Sequence, residues 1–181
     1  MADLGRIARF EKVWSPGVVR IFMKYHLGLG SNLGNPERNL KTAHIWLKRM
    51  DLKILARSAF YRTEPVGFSD QSWFFNQALE METALSPWEL LEAVKWIEMK
   101  MKRRPAAPNC PRIIDVDILL AEDTVIQTKN LTIPHPRLAE RNFVLVPLAE
   151  IAPDVVHPVL KKTIKDLLKR SKDRSQVKIV L

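Results

Sequence analysis

Two aspartates within an apolar segment are the clearest candidates for chemistry in this sequence. Residues 114–120 alternate apolar and acidic side chains, so in a strand Asp115 and Asp117 share one face. The opposite face would hold Ile114, Val116, Ile118 and Leu120. The Cα atoms of the aspartates would lie about 7 Å apart, which lets both carboxylates hold magnesium ions spaced about 4 Å apart. A solvated polar strand face would show the same alternation, but acids inside an apolar run favour a metal site.

A cluster of cations directly precedes these acids. Its members are Lys100, Lys102, Arg103, Arg104 and Arg112. Arginine matches phosphate oxygens with paired hydrogen bonds, and cations stabilise charge that develops during phosphoryl transfer. The cluster therefore indicates a polyphosphate site, with Arg112 the strongest candidate because it lies beside the acids. Lys100 could instead oppose the dipole at a helix end.

Further residues could bind a phosphate or an aromatic ring. His135 stands between two prolines near Arg141 and is either a structural loop histidine or a phosphate contact. Phe74, Asn76 and Phe143 could belong to the core, but an amide between two aromatic rings could also read and stack a flat heterocycle.

The glycine-rich residues 28–34 indicate a tight turn, with Ser31 and Asn32 as secondary candidates for binding. They lack the glycine spacing of a dinucleotide site, and the chain has no G-x-x-x-x-G-K-[ST] phosphate loop. Any nucleotide must therefore be held by other means.

The elements that position these residues follow from hydrophobic spacing and from helix-start signals. The spacing predicts strands over residues 24–29, 52–62, 74–83, 113–120 and 131–133, and helices over 36–50, 87–101, 137–151 and 163–170. The first six elements run strand, helix, strand, strand, helix, strand, the order of a split β-α-β unit. We therefore expect an α+β fold, with a ferredoxin-like antiparallel or mixed sheet, helices packed on one face and short C-terminal additions.

Length and composition limit the class of protein. The 181 residues, 46% of them hydrophobic, suit one domain, which we place at residues 24–181 after an N-terminal extension of residues 1–23. The single cysteine, Cys110, excludes an internal disulfide and a four-cysteine zinc site. No apolar run approaches the roughly 18 residues that cross a bilayer, and no secretion signal is evident. The sequence thus predicts a soluble, cytoplasmic protein.

The formal net charge of +9 first suggests a nucleic-acid partner. The excess lies at the two ends, however, since residues 1–24 carry +3 and residues 160–181 carry +6. Two alternatives to a phosphoryl-transfer enzyme are therefore a two-metal nuclease and a nucleic-acid binder that uses residues 160–181.

Four ordered segments resemble the 6-hydroxymethyl-7,8-dihydropterin pyrophosphokinase family. They are Gly-Ser-Asn-Leu-Gly at 30–34, Phe-Tyr-Arg-Thr-Glu-Pro-Val-Gly at 60–67, Pro-Arg-Ile-Ile-Asp-Val-Asp-Ile-Leu at 111–119, and Ile-Pro-His-Pro-Arg-Leu at 133–138 with Arg-Asn-Phe-Val-Leu at 141–145. The resemblance runs from about residue 25 to residue 157. It implies an ATP-dependent diphosphokinase of folate biosynthesis that transfers the pyrophosphoryl group of ATP to the pterin and releases AMP.

The resemblance also implies roles for individual residues. Two Mg²⁺ ions would be held by Asp115 and Asp117. The residues implied for pterin binding are Thr63, Val66, Phe74, Asn76 and Phe143; those for ATP are Glu98, Arg104, Thr132, His135 and Arg141; and those for catalysis are Arg112, Arg104 and Lys102. Residues 65–72 and 103–111 would be mobile lids. The expected partners are these two small-molecule substrates, with no membrane, no nucleic acid and a monomeric chain.

The second lid departs from the family pattern. Members usually carry Gly-Arg before this loop and Trp-Gly before Pro-Arg, whereas this chain has Met101-Lys102 and Asn109-Cys110. Asn109 cannot cover a site as an indole would, and Lys102 lacks the planar fork of arginine. We therefore expect activity with altered ATP handling.

Overall fold

The computed structural model describes residues 21–50, 52–67, 70–104 and 110–180. Most of the predicted N-terminal extension lies outside these ranges, as do Asn109 and the middle of both predicted lids. Within the described ranges, no helix has the length and apolar character needed to span a membrane.

Eight strands and four helices follow one another along the described chain. The strands are β1 (Met23–Ser31), β2 (Lys53–Arg57), β3 (Tyr61–Thr63), β4 (Phe74–Thr83), β5 (Asp115–Ala121), β6 (Ile126–Gln127), β7 (Thr132–Ile133) and β8 (Val177–Ile179). The helices are α1 (Pro36–Arg49), α2 (Pro87–Lys100), α3 (Asn142–Ile151) and α4 (Ile164–Arg170), with one 3-10 turn at Leu138–Glu140.

The main sheet has the order β5-β1-β4-β3-β8, and β2 also pairs with β4. Every pair in it is antiparallel. Strand β1 therefore lies between β5 and β4, and β4 lies between β1 and β3. This strand order confirms the predicted α+β fold with a ferredoxin-like arrangement.

Helices cover the two faces of the sheet in different ways. The helices of the ferredoxin-like unit, α1 and α2, bury Leu40, Leu47, Leu90 and Ile97 with Leu79 of β4 on one face. On the other face, α3 and α4 pack against the sheet through Ala78, Leu119, Leu145, Leu148, Ile164 and Leu167. The later helices leave part of this second face open, and the candidate site lies there.

The starts of α1 and α2 confirm the predicted helix signals. Asn35 caps α1 by accepting a hydrogen bond from the Arg38 amide at 2.9 Å, and Pro36 follows it. Ser86 and Glu89 form a reciprocal capping box at the start of α2.

The predicted strand over residues 52–62 is divided at Ser58. The Ser58 amide donates to the Ala78 carbonyl, and the Ser58 hydroxyl accepts from the Ala78 amide, both at 3.0 Å. The side chain thus replaces a backbone acceptor, which separates β2 from β3 while both remain paired with β4.

Two local predictions are wrong. Leu120 lies with Leu119 in the core under α3 rather than with Ile118, because a register shift in the β1–β5 pairing reverses the alternation. The helix predicted over residues 137–151 is interrupted at Arg141, whose extended φ of −128° separates the 3-10 turn from α3.

The basic C-terminal segment is part of the fold. Residues 160–181 include α4 and β8, and β8 adds a strand to the edge of the sheet next to β3. Sequence patterns predicted α4 but not β8, and the structure shows that Thr163 is the N-cap of α4.

Candidate active site

An open cavity of about 270 Å³ lies between the second face of the sheet and α3. It brings together ten of the candidate residues singled out from the sequence: Thr63, Val66, Phe74, Asn76, Arg103, Arg112, Asp115, Asp117, Arg141 and Phe143. The strand alternation explains this grouping, since Asp115, Asp117 and Leu119 of β5 all face the cavity. We call the region of Lys95, Glu98, Arg103, Arg112, Asp115 and Asp117 the charged end, and that of Thr63, Phe74, Asn76 and Phe143 the aromatic end.

At the charged end, Asp115 is enclosed by cations. Its two carboxylate oxygens lie 2.5 Å from Arg103 Nη1 and 2.6 Å from Arg112 Nη1. Burial alone would raise the pKa of Asp115, but Arg103 and Arg112 hold it below its ordinary value. Asp115 is therefore ionised at neutral pH, and both guanidinium groups are fixed beside it.

Asp117 has a different environment from Asp115. Among the residues that the structure describes, none donates a hydrogen bond or forms an ion pair with its carboxylate. Burial, and then the charge of Asp115, raise the pKa of Asp117 to about 6. The raised pKa means that the Asp117 carboxylate has too little positive charge beside it, and a bound divalent ion would provide that charge.

Glu98 supports the charged end from behind. Its side chain is buried, at 4% exposure, and it accepts a hydrogen bond from the Val116 amide at 2.8 Å. It forms ion pairs with Lys95 at 3.0 Å and with Arg103. Burial raises the pKa of Glu98 despite these two cations. Glu98 thus joins α2 to β5 and orients two cations that line the cavity.

At the aromatic end, an amide is held by a neutral hydrogen bond and by close packing. Asn76 Nδ2 donates to Thr63 Oγ1 at 2.6 Å, which leaves the amide oxygen on the side of Gly30. A Cβ at Gly30 would come within 2.8 Å of Asn76 Oδ1, so the absence of a side chain there allows the amide to occupy its position.

The two phenyl groups come from opposite walls, since Phe74 begins β4 and Phe143 lies in the first turn of α3. Each ring contacts an arginine. The Arg112 guanidinium lies 5.5 Å from the Phe74 ring centroid, and the Arg141 guanidinium lies 5.3 Å from that of Phe143. The charged and aromatic ends therefore meet at these arginines.

Asn32 connects the glycine-rich turn to both ends of the cavity. The Asn32 side-chain oxygen Oδ1 accepts from the backbone amide of Arg112 at 2.8 Å, and the backbone amide of Asn32 donates to the Arg112 carbonyl at 3.0 Å. Its Nδ2 donates to Gln71 Oε1 at 2.9 Å and to the Ser72 carbonyl at 3.1 Å. Residues 28–34 are therefore a brace for the site rather than a phosphate loop.

His135 and Thr132 lie near the cavity but are not among the residues that line it. The His135 amide donates to the Leu119 carbonyl at 2.9 Å, and its Nδ1 accepts from the Arg137 amide at 3.2 Å. Burial, followed by the charges of Arg141 and Arg137, lowers the pKa of His135 to about 4. The imidazole is therefore neutral at physiological pH.

Among the cations of the second lid, Arg103 and Arg112 line the cavity, whereas Lys102 and Arg104 are exposed and are not among its lining residues. The roles implied for Lys102 and Arg104 stay predictions. Sequence reasoning placed Arg103 in the polyphosphate cluster but missed the lining residues Lys95 and Arg137 as site members. The spacing Lys95-x-x-Glu98 on a helix was the available signal, since residues three apart are neighbours.

Several known proteins are similar to this chain over most of its length. A family model described as 7,8-dihydro-6-hydroxymethylpterin-pyrophosphokinase matches residues 26–153. The chain is 45% identical over 132 residues to the 2-amino-4-hydroxy-6-hydroxymethyldihydropteridine pyrophosphokinase of Methylorubrum extorquens, covering 72% of this chain and 84% of the relative. It is 43% identical over 131 residues to the protein of the same name from Bacillus subtilis, covering 72% and 78%.

Longer proteins also contain a similar region. The Folic acid synthesis protein fol1 of Schizosaccharomyces pombe is 40% identical over 144 residues, which are 79% of this chain but 20% of that protein. A crystal structure of Plasmodium falciparum HPPK-DHPS wild type with pteroate matches with a TM-score of 0.70 at 20% identity, over 85% of this chain and 43% of that one. This structural likeness supports the fold.

Proposed function

The chain belongs to the 7,8-dihydro-6-hydroxymethylpterin-pyrophosphokinase family, and we propose that it transfers the pyrophosphoryl group of ATP to the hydroxymethyl group of 6-hydroxymethyl-7,8-dihydropterin, releasing AMP. Enzymes of this family are ATP-using transferases of folate synthesis. The observation that carries the proposal is one cavity that is lined by two neighbouring carboxylates and several arginines together with an amide and two phenyl groups. The family assignment therefore favours this reaction over the two alternatives, a two-metal nuclease and a nucleic-acid binder.

The donor set at the charged end fits Mg²⁺. At this end two carboxylates, those of Asp115 and Asp117, line the cavity, and the described residues contain no group of three or more His, Cys, Asp or Glu that could hold a metal. Mg²⁺ is commonly bound by one or two carboxylates together with substrate phosphates and water, so Asp115 and Asp117 would hold two Mg²⁺ ions only with ATP present. When bound, the metal would offset negative charge on the phosphates.

Arginines and Lys95 would orient the triphosphate at the charged end. Arg112 and Arg103 are held beside Asp115 before any substrate binds, so little reorganisation is required when phosphate charge arrives. Arg141, from the opposite wall, would contact the same group. The residue-level roles of Glu98, Thr132, His135 and Arg104 towards ATP, and of Lys102 in catalysis, rest on the family resemblance.

The aromatic end would bind the pterin. Phe74 and Phe143 would stack on the two faces of the ring, while Asn76, Thr63 and the backbone near Val66 would read its edge. The hydroxymethyl oxygen would then attack the β-phosphorus in line with the leaving AMP oxygen. No side chain is required as a general base, because positioning and charge provide most of the catalysis.

Product identity tests the proposed reaction. Purified protein incubated with ATP, Mg²⁺ and 6-hydroxymethyl-7,8-dihydropterin should form AMP and the pterin diphosphate, and should form neither when the pterin or Mg²⁺ is omitted. ADP as the nucleotide product would contradict pyrophosphoryl transfer.

A matched pair of variants connects the reaction to the cavity. Asn76→Ala removes the amide of the aromatic end and should slow AMP formation by at least about tenfold, because a ring that loses its hydrogen-bond partner is poorly held. Asn130→Ala makes the same change at an exposed turn and should leave the rate unchanged. The monomeric state, the cytoplasmic location and the domain limits at residues 23 and 24 stay predictions.

A further inference from the structure

The C-terminal strap, residues 171–180, contacts two walls of the cavity although it lies beyond residues 26–153 that match the family model. Its first half contacts the start of α3, and its second half contacts β3 and the residue after it. Those two segments carry Phe143 and Thr63, which line the aromatic end from opposite sides.

At α3, the strap supplies the cap that the helix itself lacks. Arg141 occupies the N-cap position and makes no side-chain cap hydrogen bond. Instead, Asp173 Oδ2 accepts from the Asn142 amide at 2.7 Å, and the Asp173 carbonyl accepts from Asn142 Nδ2 at 2.9 Å. A carboxylate at this position satisfies an otherwise free helical amide and complements the helix dipole.

The Asp173 carboxylate is itself fixed within the strap. The Ser175 amide and hydroxyl donate to its second oxygen, Oδ1, at 2.8 and 2.5 Å. Burial would raise the pKa of Asp173, but the hydrogen bonds from Ser175 and Asn142 hold it below its ordinary value. The cap is therefore an oriented anion at neutral pH.

At the other wall, the strap is bonded to the segment that follows β3. The Glu64 amide donates to the Gln176 carbonyl at 3.1 Å, and the Gln176 amide donates to Glu64 Oε2 at 2.8 Å. The next residue, Val177, pairs with Thr63 in the sheet. From Asp173 to Gln176 the chain can span at most about 11 Å, so the strap limits the separation of the two walls.

We propose that Asp173 is a positioning residue for the flat-ring substrate, acting by holding the first turn of α3, and hence Phe143, at a set distance from Thr63 and Phe74. This inference rests on the proposed function. Without the cap, the first turn of α3 frays and the slot between the two phenyl groups loses its fixed width. Binding of the ring should then weaken more than binding of ATP, because Arg141 is the one proposed ATP contact at the start of α3 and the other proposed contacts lie elsewhere in the chain.

The test compares Asp173→Ala with the control Thr163→Ala. Thr163 Oγ1 caps α4 by accepting from the Asp166 amide at 3.1 Å. The start of α4 is not part of the cavity. Loss of one cap should weaken pterin binding about fivefold in Asp173→Ala. The KM for ATP should change less than about twofold, within the usual scatter of a surface change. Thr163→Ala should lower Tm similarly and leave pterin binding unchanged. Asp173→Asn, which keeps an oxygen acceptor, should restore most of the affinity.

Pterin binding is measured by fluorescence quenching and both KM values by AMP release. If the wild-type protein binds pterin and forms AMP, but Asp173→Ala binds pterin as tightly as Thr163→Ala does, the positioning role is wrong and the function stands. A wild-type protein that neither binds pterin nor forms AMP overturns the proposed function, and the inference with it. Should Asp173→Ala fail to fold, Ser175→Ala removes the hydroxyl hydrogen bond to Oδ1 and keeps the one from the backbone amide, and unchanged pterin binding in that variant overturns the inference.

Discussion

At the charged end of the cavity the side chains hold one another by ion pairs, whereas at the aromatic end they are held by a neutral hydrogen bond, by close packing and by segments distant in sequence. Arg103, Arg112 and Asp115 form a closed set before any ligand is present. Asn76 depends on one hydrogen bond to Thr63 and on the space above Gly30. The charged end is thus organised by its own charges, and the aromatic end by the fold around it.

Asp117 is the exception at the charged end, since its carboxylate is the one acid there without a partner among the described residues. The free protein therefore carries an electrostatic cost at this position, of the kind that functional sites retain. The comparison of the two ends predicts that substitutions at the charged end change stability through charge, and that substitutions at the aromatic end change ring binding with little effect on ATP.

The largest effects are expected from neutralising the two aspartates separately. Asp115→Asn and Asp117→Asn should each reduce AMP formation by more than about 100-fold, because each removes charge that would hold a divalent ion. Their effects on stability should differ in sign. Asp115→Asn leaves Arg103 and Arg112 without their shared carboxylate and should destabilise the protein, whereas Asp117→Asn removes an unpartnered buried charge and should stabilise it.

The sign for Asp117 follows from its pKa. The pKa of Asp117 in the folded protein, about 6, exceeds the value of 3.8 for an ordinary aspartate. Stability therefore falls as the pH rises from about 4 to about 6, because the unfolded chain loses this proton first. At pH 7 in the presence of EDTA, Asp117→Asn should therefore raise the free energy of unfolding by roughly 1 kcal/mol or more, as measured by urea denaturation. Equal destabilisation by both variants would contradict the distinction between paired and unpaired acids.

The brace at Asn32 is expected to connect the two ends. Asn32→Ala removes the acceptor for the Arg112 amide and the donor to Ser72, both within a nearly buried site. It should lower the free energy of unfolding by about 1–3 kcal/mol and raise the KM of both substrates. Asn39→Ala is the control, because Asn39 bonds Ser31 and Leu33 of the same turn but neither end of the cavity. If Asn32→Ala changes only one KM, the ends are not coupled through this turn.

A smaller and more selective effect is expected from the glycines of β1. Gly30→Ala would place a Cβ 2.8 Å from Asn76 Oδ1, whereas Gly28→Ala would meet the flexible Leu119 side chain at 3.3 Å. Gly30→Ala should therefore displace the amide and weaken pterin binding by about 3- to 10-fold, with ATP binding unchanged. Gly28→Ala should have the smaller effect. Isothermal titration with each substrate distinguishes these outcomes, and a loss of ATP affinity in Gly30→Ala would show that the ends are not separable.

Local signals predicted the elements that carry most of the site. The apolar and acidic alternation predicted the cavity face of β5, proline and capping residues predicted α1 and α2, and the limits of β4 were predicted correctly. The aspartates, Phe74, Asn76 and Phe143 were then found from motifs lying on or beside these elements.

The parts that sequence reasoning missed depend on contacts between distant residues. The three-residue strand β8 is too short to show periodicity, and it forms because β3 offers an unpaired edge. Lys95 resembles a solvated helix cation, and only the burial of Glu98 against β5 shows that it belongs to the site. The capping of α3 by Asp173 joins residues 31 positions apart, and no local pattern reveals such a pair.

An effect on the pH dependence of stability is expected from a neutral histidine beside the charged end. Burial and the nearby arginines lower the pKa of His135 to about 4, below its unfolded value of about 6.5. Because the unfolded chain takes up this proton first, the contribution of His135 to stability is complete above about pH 6.5 and is lost as the pH falls towards 4. His135→Gln should therefore lose roughly 2 kcal/mol less stability than the wild type between pH 7.5 and 4.5. The buried His26, His44 and His157 are common to both proteins, so the difference between their urea-denaturation curves isolates His135. Identical pH dependence in the two proteins would mean that burial and the charges of Arg141 and Arg137 do not shift the titration of this imidazole in the folded protein.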